Sequence, residues 1–535
     1  MELCDAVVVG AGPNGLVAAI ALADAGWEVL LVEAQDTLGG AVRSAEVIAP
    51  GVVTDLFSAF YPLAAASPVI RDLGLEEHGL VWRRSPDVLA HPLPDGTCAV
   101  LHPDAEDTAE RLEREAAGDG DAWLRMVEQW QRLRDPLLDA LFTTFPPVRP
   151  GLRLARVLRA AEALDLARRL ALPVRRLVAE EFRGREAGLL ISGNAAHTDV
   201  PPDAAGSALY GWLLTMLAQD VGFPVPEGGS GRLSAAMASR FTAAGGRVLT
   251  GVAVEQVEVR GGRATGVALA DGRRVGARRA VVADVSAPAL FDRLLPGSAV
   301  HPRLRERMHR FEWDPSTLKV NWALSQPVPW SAPGARSAGT VHLGVDADGF
   351  VRASADLTTG RAPASPFVLF GQMAVADPTR TPPGTETAWA YTHLPRGLAH
   401  DADVLARQVE AVERAVEEVA PGFAASVTGR LVQRPEDLEA ADANLDRGAI
   451  NGGSSALHHQ LVLRPVPGLG RPETPVAGLY LGSAAAHPGG GVHGACGWNA
   501  ARAALADHGR AGVVHRALVP RGWGRVRGRG RLSRP

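Results

Sequence analysis

Three glycines near the N-terminus have the spacing that a dinucleotide phosphate requires. Gly10, Gly12 and Gly15 follow an apolar, β-branched run at residues 6–9 and lead into an Ala- and Leu-rich stretch at residues 16–25 that predicts a helix. The first glycine permits a tight turn, the second lets the backbone approach a pyrophosphate, and the third lets the helix pack on the strand. Glu33 ends the next predicted strand, where an acid binds ribose hydroxyls. The predicted dinucleotide-binding residues are Gly10, Gly12, Pro13, Asn14, Gly15 and Glu33.

A glycine pair shortly after Glu33 distinguishes between the two common dinucleotides. Gly39 and Gly40 leave room for an extended ligand, and Arg43 can contact a phosphate or the edge of a flavin. Such a pair alone is more often an ordinary loop. Directly after the acid of a dinucleotide fold, it resembles the motif of FAD enzymes in the glutathione-reductase-like superfamily. This resemblance favours FAD over NAD.

A glycine-dense loop lies more than 400 residues further on, between a predicted strand at residues 476–482 and an Ala-rich predicted helix. A bare backbone lets a flat ring lie against it, and the N-terminus of the following helix stabilises negative charge there. We therefore expect this loop to contact the isoalloxazine ring of a flavin. The residues expected to do so are Gly482, Gly489, Gly490, Gly491, Val492 and Gly494.

Both ends of the chain together resemble the bacterial-type phytoene desaturase and carotenoid isomerase family of FAD oxidoreductases. Within that family, the chain is most similar to the branch named pyridine nucleotide-disulfide oxidoreductase domain-containing protein 2. The stretches that fit this branch are residues 318–324, 376–384, 451–453 and 464–465. The resemblance implies one FAD and hydride transfer from a substrate C–H to the flavin N5. It also implies a largely apolar, carotenoid- or polyene-like substrate that is dehydrogenated, desaturated or isomerised.

The resemblance further implies an α/β fold in which a discontinuous, glutathione-reductase-like Rossmann domain binds FAD and an α+β domain binds substrate. Residues 247–282 alternate in a pattern typical of an antiparallel meander, with glycine pairs at the turns. In this superfamily such a segment returns to the FAD domain, and the backbone near Val254 meets the adenine. The predicted FAD-binding domain comprises residues 1–65, 225–290 and 455–510, and the predicted substrate domain comprises residues 66–224 and 291–454.

Few residues are candidates for catalysis beside the flavin. Lys319 is the only lysine of an arginine-rich chain, and in related flavin amine oxidases a lysine contacts the flavin N5 through water. The alternative for Lys319 is a structural salt bridge. His487 and His493 flank the glycine loop and are expected to line the flavin, although either could serve packing alone.

Two other functions stay open at this point. One is a flavin amine oxidase-like enzyme, and the other is a non-enzymatic carrier of prenyl or lipid chains with the same fold. The intact glycine motifs and Glu33 argue against the carrier. A second GxGxxG after a strand is missing, so we expect oxygen or a quinone, and not NAD(P)H, to exchange electrons with the flavin.

Composition limits the partners and the location. A net charge of −4 does not favour nucleic-acid binding by the whole chain, and we expect no metal site. Three cysteines without a CxxC pair fit a reducing cytoplasm, and neither a signal peptide nor a transmembrane helix is expected. Residues 151–176 form a basic amphipathic stretch, which is either a solvated helix face or a peripheral membrane surface. The arginine-rich residues 511–535 predict a disordered tail.

Overall fold

A computed structural model describes residues 2–158 and 160–509. The predicted basic tail at residues 511–535 lies outside the described residues. The strands are β1 (Glu2–Val9), β2 (Val29–Val32), β3 (Ser44–Ala45), β4 (Thr54–Asp55), β5 (Trp82–Arg83), β6 (Asp87–Pro92), β7 (Cys98–Leu101), β8 (Val225–Pro226), β9 (Arg247–Leu249), β10 (Val254–Arg260), β11 (Arg263–Leu269), β12 (Arg274–Ala283), β13 (Ser316–Leu324), β14 (Ala338–Leu343), β15 (Val368–Gln372), β16 (Glu386–Leu394), β17 (Val427–Gln433) and β18 (Leu479–Leu481).

Helices cover much of the remaining chain and concentrate between residues 105 and 221. They are α1 (Pro13–Asp24), α2 (Pro62–Ala66), α3 (Pro68–Arg71), α4 (Ala105–Glu115), α5 (Asp119–Phe142), α6 (Val148–Val157), α7 (Ala160–Ala171), α8 (Val174–Glu181), α9 (Glu186–Ala196), α10 (Ser207–Val221), α11 (Gly231–Ala243), α12 (Pro302–Met308), α13 (Ala347–Thr358), α14 (Met373–Ala376), α15 (Ala402–Val419), α16 (Phe423–Ser426), α17 (Pro435–Ala441) and α18 (Ala495–His508). Within residues 2–158 and 160–509, no helix is long and apolar enough to cross a bilayer.

The first sheet has the order β10-β11-β12-β1-β2-β9, and β18 pairs with β12. Strands β1, β2, β12 and β18 run parallel to their neighbours in this group, whereas β10, β11 and β12 form an antiparallel meander. All four residues of β2 are buried, as expected where helices cover a parallel sheet. The strands of this sheet lie within residues 1–65, 225–290 and 455–510.

The second sheet has the order β17-β13-β16-β15-β14-β6-β7. Only β6 and β14 pair in parallel, and the other neighbours are antiparallel. Its strands lie within residues 66–224 and 291–454. Chain segments that are distant in sequence thus alternate between two sheets, and the predicted α/β fold class is observed.

Helix α1 begins earlier than the sequence pattern predicts. The expected span was residues 16–25, and the observed helix starts at Pro13, with Gly12 as its N-cap. Proline is favoured in the first turn because its missing N–H would have no helical partner there. The earlier start brings the first free amide groups of the helix directly beside Gly12.

Helix α18 packs against α1 at a point where only glycine fits. A Cβ built on Gly497 would lie 1.8 Å from the carbonyl oxygen of Asn14, and one built on Gly15 would lie 2.1 Å from that of Gly10. Both contacts are to backbone atoms, which cannot rotate away. The two ends of the chain therefore meet through main-chain contacts.

We expect Gly497→Ala to lower the thermal unfolding midpoint by roughly 2 °C, because overpacking against a fixed backbone costs about 2 kcal/mol. Gly397→Ala is the matched control, since Gly397 is exposed and a Cβ there would meet nothing within 4 Å. Differential scanning calorimetry of both variants measures the difference. Equal midpoints would show that α1 and α18 can move apart freely.

Candidate functional site

Four parallel strands end side by side and set the position of the site. Val9 pairs with Val32 and with Ala283, and Ala283 pairs with Leu481. The next residue of each strand therefore reaches the same edge of the sheet, namely Gly10, Glu33, Asp284 and Gly482. Ligands of parallel sheets bind outside the carboxyl ends of their strands. Glu33 and the two glycines are predicted site residues, whereas Asp284 is not.

The first glycine turn has the geometry of a phosphate cradle. Gly10 has a φ of +95°, and its N–H donates to the carbonyl of Val32 at 2.8 Å. The N–H of Ala11 donates to Glu33 Oε2 at 2.8 Å, which ties the acid to the turn. Asn14 Oδ1 is buried without a hydrogen-bond partner in the described chain. An orphaned buried acceptor of this kind indicates that a ligand group belongs beside it.

Asp284 is the principal site residue that the sequence reasoning missed. Its Oδ2 accepts a hydrogen bond from the N–H of Gly15 at 2.8 Å. Burial, together with the nearby Asp442 and Glu33 carboxylates, raises the pKa of Asp284 to about 8. The signal that could have identified Asp284 was its position directly after β12, the strand that pairs in parallel with β1.

The predicted glycine pair rests on the first turn. The N–H of Gly39 donates to the carbonyl of Ala11 at 2.9 Å, and a Cβ on Gly40 would lie 3.0 Å from the Cα of Gly12. Arg43 does not point freely into solvent. Its Nε donates to the Gly40 carbonyl at 2.8 Å and its Nη2 to the Ala441 carbonyl at 2.7 Å, so this guanidinium joins the two domains.

Val254 begins β10 and lies near the acid that would bind ribose. Two residues earlier, the N–H of Val252 donates to the carbonyl of Glu33 at 3.2 Å. The side chain of Val254 is half-buried. Its backbone contact with an adenine stays a prediction.

The C-terminal glycine loop lies against residues 451–453 and against α2. A Cβ on Gly490 would lie 2.6 Å from the Asn451 carbonyl oxygen, and one on Gly491 would lie 2.7 Å from Leu63 Cδ1. Gly489 and Gly491 have φ values of +117° and +106°, which favour glycine. Val492 is half-buried within the loop, and Gly494 is the N-cap of α18.

A fully buried arginine, Arg464, donates hydrogen bonds to the backbone on both sides of this contact. Arg464 donates to the carbonyl of Ala484 at 2.7 Å and to that of Asn451 at 3.1 Å. The remaining acceptors are the carbonyls of Gly452, Gly453 and Ser454. Asp314 accepts the N–H groups of Ile450, Asn451 and Gly453. One backbone segment is thus held by a cation through its carbonyls and by an anion through its amides.

The two predicted histidines differ in their contacts. His493 Nδ1 accepts the N–H of Ala495 at 3.0 Å, and its Nε2 lies 3.3 Å from the Gly489 carbonyl. Both ring nitrogens are therefore used inside the loop, which supports a structural role. His487 Nε2 lies 3.2 Å from the Thr143 carbonyl, and its Nδ1 is buried without a partner among the described residues. Burial lowers the pKa of both histidines to about 4, so both are neutral.

Lys319 does not form the salt bridge that was its alternative role. Its Nζ donates to the carbonyl oxygens of Asp55 and of Phe57, the latter at 2.8 Å. No ion pair of Lys319 is found in the described part of the chain. Burial lowers the pKa of Lys319 to about 7, and the indole of Trp389 lies 5.4 Å from Nζ. Lys319 therefore gains and loses its proton near neutral pH.

A buried ionic triad next to Lys319 joins the two domains. Arg380 Nη1 lies 2.6 Å from Asp55 Oδ2, and its Nε lies 2.9 Å from Asp377 Oδ2. Asp55 also accepts the N–H of Ser230 at 2.8 Å, and Asp377 accepts that of Gly228 at 2.7 Å. The segment at residues 228–230 is thus held by both acids. Sequence reasoning missed this triad because Asp55 lies 325 residues from Arg380, although Asp377 and Arg380 are three residues apart.

Strand β16 presents a row of aromatic and polar side chains beside Lys319. Trp389 and Tyr391 stack with an interplanar angle of 6°, and Lys319 is the cross-strand partner of Tyr391. His393 Nε2 lies 2.8 Å from Asp199 Oδ1, and the Asp199 carboxylate raises the pKa of His393. Asn451 Nδ2 donates to Asp199 Oδ2 at 2.8 Å. Because Asn451 touches Gly490, this row adjoins the glycine loop.

An FAD molecule fits these residues. The first turn and α1 offer amide groups to a pyrophosphate, and Glu33 offers a carboxylate to a ribose. The glycine loop offers a bare backbone to a flat ring, and Lys319 donates to the carbonyls of Asp55 and Phe57. These features define a dinucleotide-binding flavoprotein.

Comparison with known proteins identifies the family. Residues 14–505 match the model of the flavin containing amine oxidoreductases, so the chain belongs to that family. Pyridine nucleotide-disulfide oxidoreductase domain-containing protein 2 of Mus musculus is 30% identical, over 94% of this chain and 93% of that protein. A lycopene-forming phytoene desaturase from Paracoccus sp. is 25% identical, over 92% of this chain and 95% of its own length.

A solved structure has the same fold. An oxidoreductase from Methanosarcina mazei aligns with a TM-score of 0.61 at 16% identity, over 94% of this chain and 99% of that chain. The predicted resemblance, the fold class and FAD as cofactor are confirmed. The chain is an FAD-dependent oxidoreductase, and the lipid-carrier alternative is not retained.

We expect Arg464→Lys to release FAD roughly tenfold faster, because a lysine has three donors and leaves buried carbonyls unsatisfied at about 1–3 kcal/mol each. Flavin fluorescence recovery after dilution measures the release rate. Arg310→Lys is the matched control, since the Arg310 side chain is 76% exposed. An unchanged release rate in Arg464→Lys would contradict the supporting role of this guanidinium.

Proposed function

We propose that this enzyme acts on an extended, largely apolar substrate of the polyene or carotenoid kind, by desaturation, dehydrogenation or isomerisation. When bound, FAD supplies the acceptor for a hydride from a substrate C–H bond at the flavin N5. The observation that carries the proposal is the aromatic face beside Lys319. The ionisable side chains near this face are paired with one another, Asp199 with His393 and His197 with His342.

Aromatic side chains from both domains form this face. The ring of Phe60 lies 5.9 Å from that of Trp389 and 6.3 Å from that of Phe223. Trp389 and Tyr391 continue the row along β16. Ligand sites are mostly apolar with few convergent polar groups, and a row of rings suits an elongated hydrocarbon.

The charged and titratable groups near Lys319 are paired with one another, whereas Lys319 itself donates to backbone carbonyls. Asp199 pairs with His393, and His197 Nε2 lies 2.7 Å from His342 Nε2. Burial lowers the pKa of His197 to about 4, so this histidine pair is neutral. A cationic amine would compete with His393 for the Asp199 carboxylate. This favours an uncharged substrate over an amine, although the family also includes amine oxidoreductases by its description.

The names of relatives agree with this choice. Curated relatives include phytoene desaturases and a limonene dehydrogenase subunit of Castellaniella defragrans, which is 25% identical over 95% of this chain. Lys319 would hold a proton, a water or a substrate atom at its Nζ, since two carbonyls fix two of its donors. We propose oxygen or a quinone as the electron acceptor.

We also propose that α6 rests on an anionic lipid surface. Val148 and Leu152 on this helix are 63% and 56% exposed. Arg149 and Arg156 are exposed on the same helix. Helix α6 begins three residues after Phe145, whose ring lies 6.4 Å from that of His487. An apolar substrate could therefore pass from lipid to a point close to the flavin.

The first test is anaerobic stopped-flow reduction of the flavin by an acyclic polyene in detergent, a long-chain alkene and a primary alkylamine. We expect bleaching by the polyene, and Lys319→Met should slow it by roughly 10²-fold while FAD stays bound. NADH and NADPH should not bleach the flavin. Reduction by the amine alone would replace the proposal with amine oxidation, and an equal rate in Lys319→Met would remove Lys319 from the site.

The second test is flotation with vesicles of phosphatidylcholine, with and without phosphatidylglycerol. We expect binding only to the anionic vesicles, and Arg149→Glu combined with Arg156→Glu should weaken it at least about tenfold. Arg310→Glu is the control, since it changes an exposed charge away from α6. Equal flotation of both variants would contradict lipid contact through this helix.

A further inference from the structure

The carboxyl group of Asp284 accepts a hydrogen bond from the Gly15 N–H, which is an amide expected to bind the cofactor pyrophosphate. Its Oδ2 accepts the N–H of Gly15 at 2.8 Å, and a Cβ on Gly12 would lie 2.8 Å from the same oxygen. The N-terminal amides of α1 are the expected phosphate donors. An ionised Asp284 would thus place two anions on one donor.

The surroundings make an ionised Asp284 still less favourable. Glu33 and Asp442 are the acidic side chains that face it, and the Cys496 thiol is a further titratable neighbour. No Lys, Arg or His side chain forms an ion pair with Asp284 within the described residues. Asp284 itself is 6% exposed, so little water reaches it. Buried carboxyls without a cation are commonly protonated.

We propose that Asp284 holds FAD as a neutral carboxylic acid that donates its hydrogen to a pyrophosphate oxygen. The proton makes the carboxyl a donor, so it adds a hydrogen bond to the pyrophosphate where the carboxylate would repel it. One proton accompanies FAD onto the protein whenever Asp284 is ionised beforehand. No covalent bond forms or breaks apart from this protonation of the carboxylate by solvent.

The direction of the pH dependence follows from this exchange. Burial raises the pKa of the free carboxyl to about 8, and a bound pyrophosphate raises it further. Below pH 8 the acid is protonated in both states, and FAD affinity is insensitive to pH. Above pH 8 binding takes up a proton, so affinity falls by up to about tenfold per pH unit until the pKa of the complex is reached.

The experiment measures the dissociation constant of FAD from the equilibrium flavin fluorescence of serially diluted holoenzyme, from pH 7 to pH 9.5. We expect the wild-type dissociation constant to rise at least about fivefold between pH 8 and pH 9.5. Asp284→Asn keeps a donor that cannot ionise, so its dissociation constant should change less than twofold. Asp442→Asn should retain the rise, displaced to lower pH, because one of the carboxylates that raise the pKa of Asp284 has been removed.

A second measurement needs no variant of Asp284. Calorimetric titration of the apoprotein with FAD at pH 8.5, in two buffers of different ionisation enthalpy, counts the protons taken up. We expect an uptake of about three quarters of a proton at pH 8.5 and about a tenth of a proton at pH 7. Zero uptake at both pH values, or a loss of affinity in Asp284→Asn equal to that of wild type, would overturn the proposal. Neither readout depends on which substrate the enzyme oxidises.

Discussion

The register of four parallel strands is the constraint on which the site depends. Because Val9, Val32, Ala283 and Leu481 lie side by side, the residues that follow them converge on one edge of the first sheet. Two of these four residues are glycines and two are acids. The main-chain contact between Gly497 and Asn14 then brings α18, and with it the C-terminal glycine loop, close to the first turn. Cofactor binding by both ends of the chain follows from this single arrangement.

A second constraint joins the cofactor end to the substrate domain. The triad of Arg380, Asp55 and Asp377 is fully buried, and removing one member would leave an uncompensated charge at a cost of about 3–5 kcal/mol. Its Asp55 carbonyl also accepts a hydrogen bond from Lys319. The lysine beside the aromatic face is therefore positioned by the same element that fixes the domains relative to each other.

The two sides of the site have different electrostatic character. Acids dominate the dinucleotide side, where Glu33, Asp284 and Asp442 lie together and Arg43 donates to carbonyl and hydroxyl oxygens. Neutral histidines and aromatic rings dominate the substrate side, and the ion pair there between Asp199 and His393 is internally balanced. This division agrees with both proposals. On the dinucleotide side, burial raises the pKa of Asp284 so that the acid can donate to the cofactor, and on the other side the substrate carries no charge.

The sequence by itself determined the elements whose geometry is local. The strand, turn and helix around Gly10, Gly12 and Gly15 follow from backbone requirements within a few residues, and Glu33 follows from its place at a strand end. Tertiary structure alone decided the contact of Asp284 with the Gly15 amide, which lies 269 residues away in the chain. It also decided that Lys319 contacts carbonyls and not an acid, and that His493 is used within its own loop. These outcomes depend on strand order and register, which no local pattern encodes.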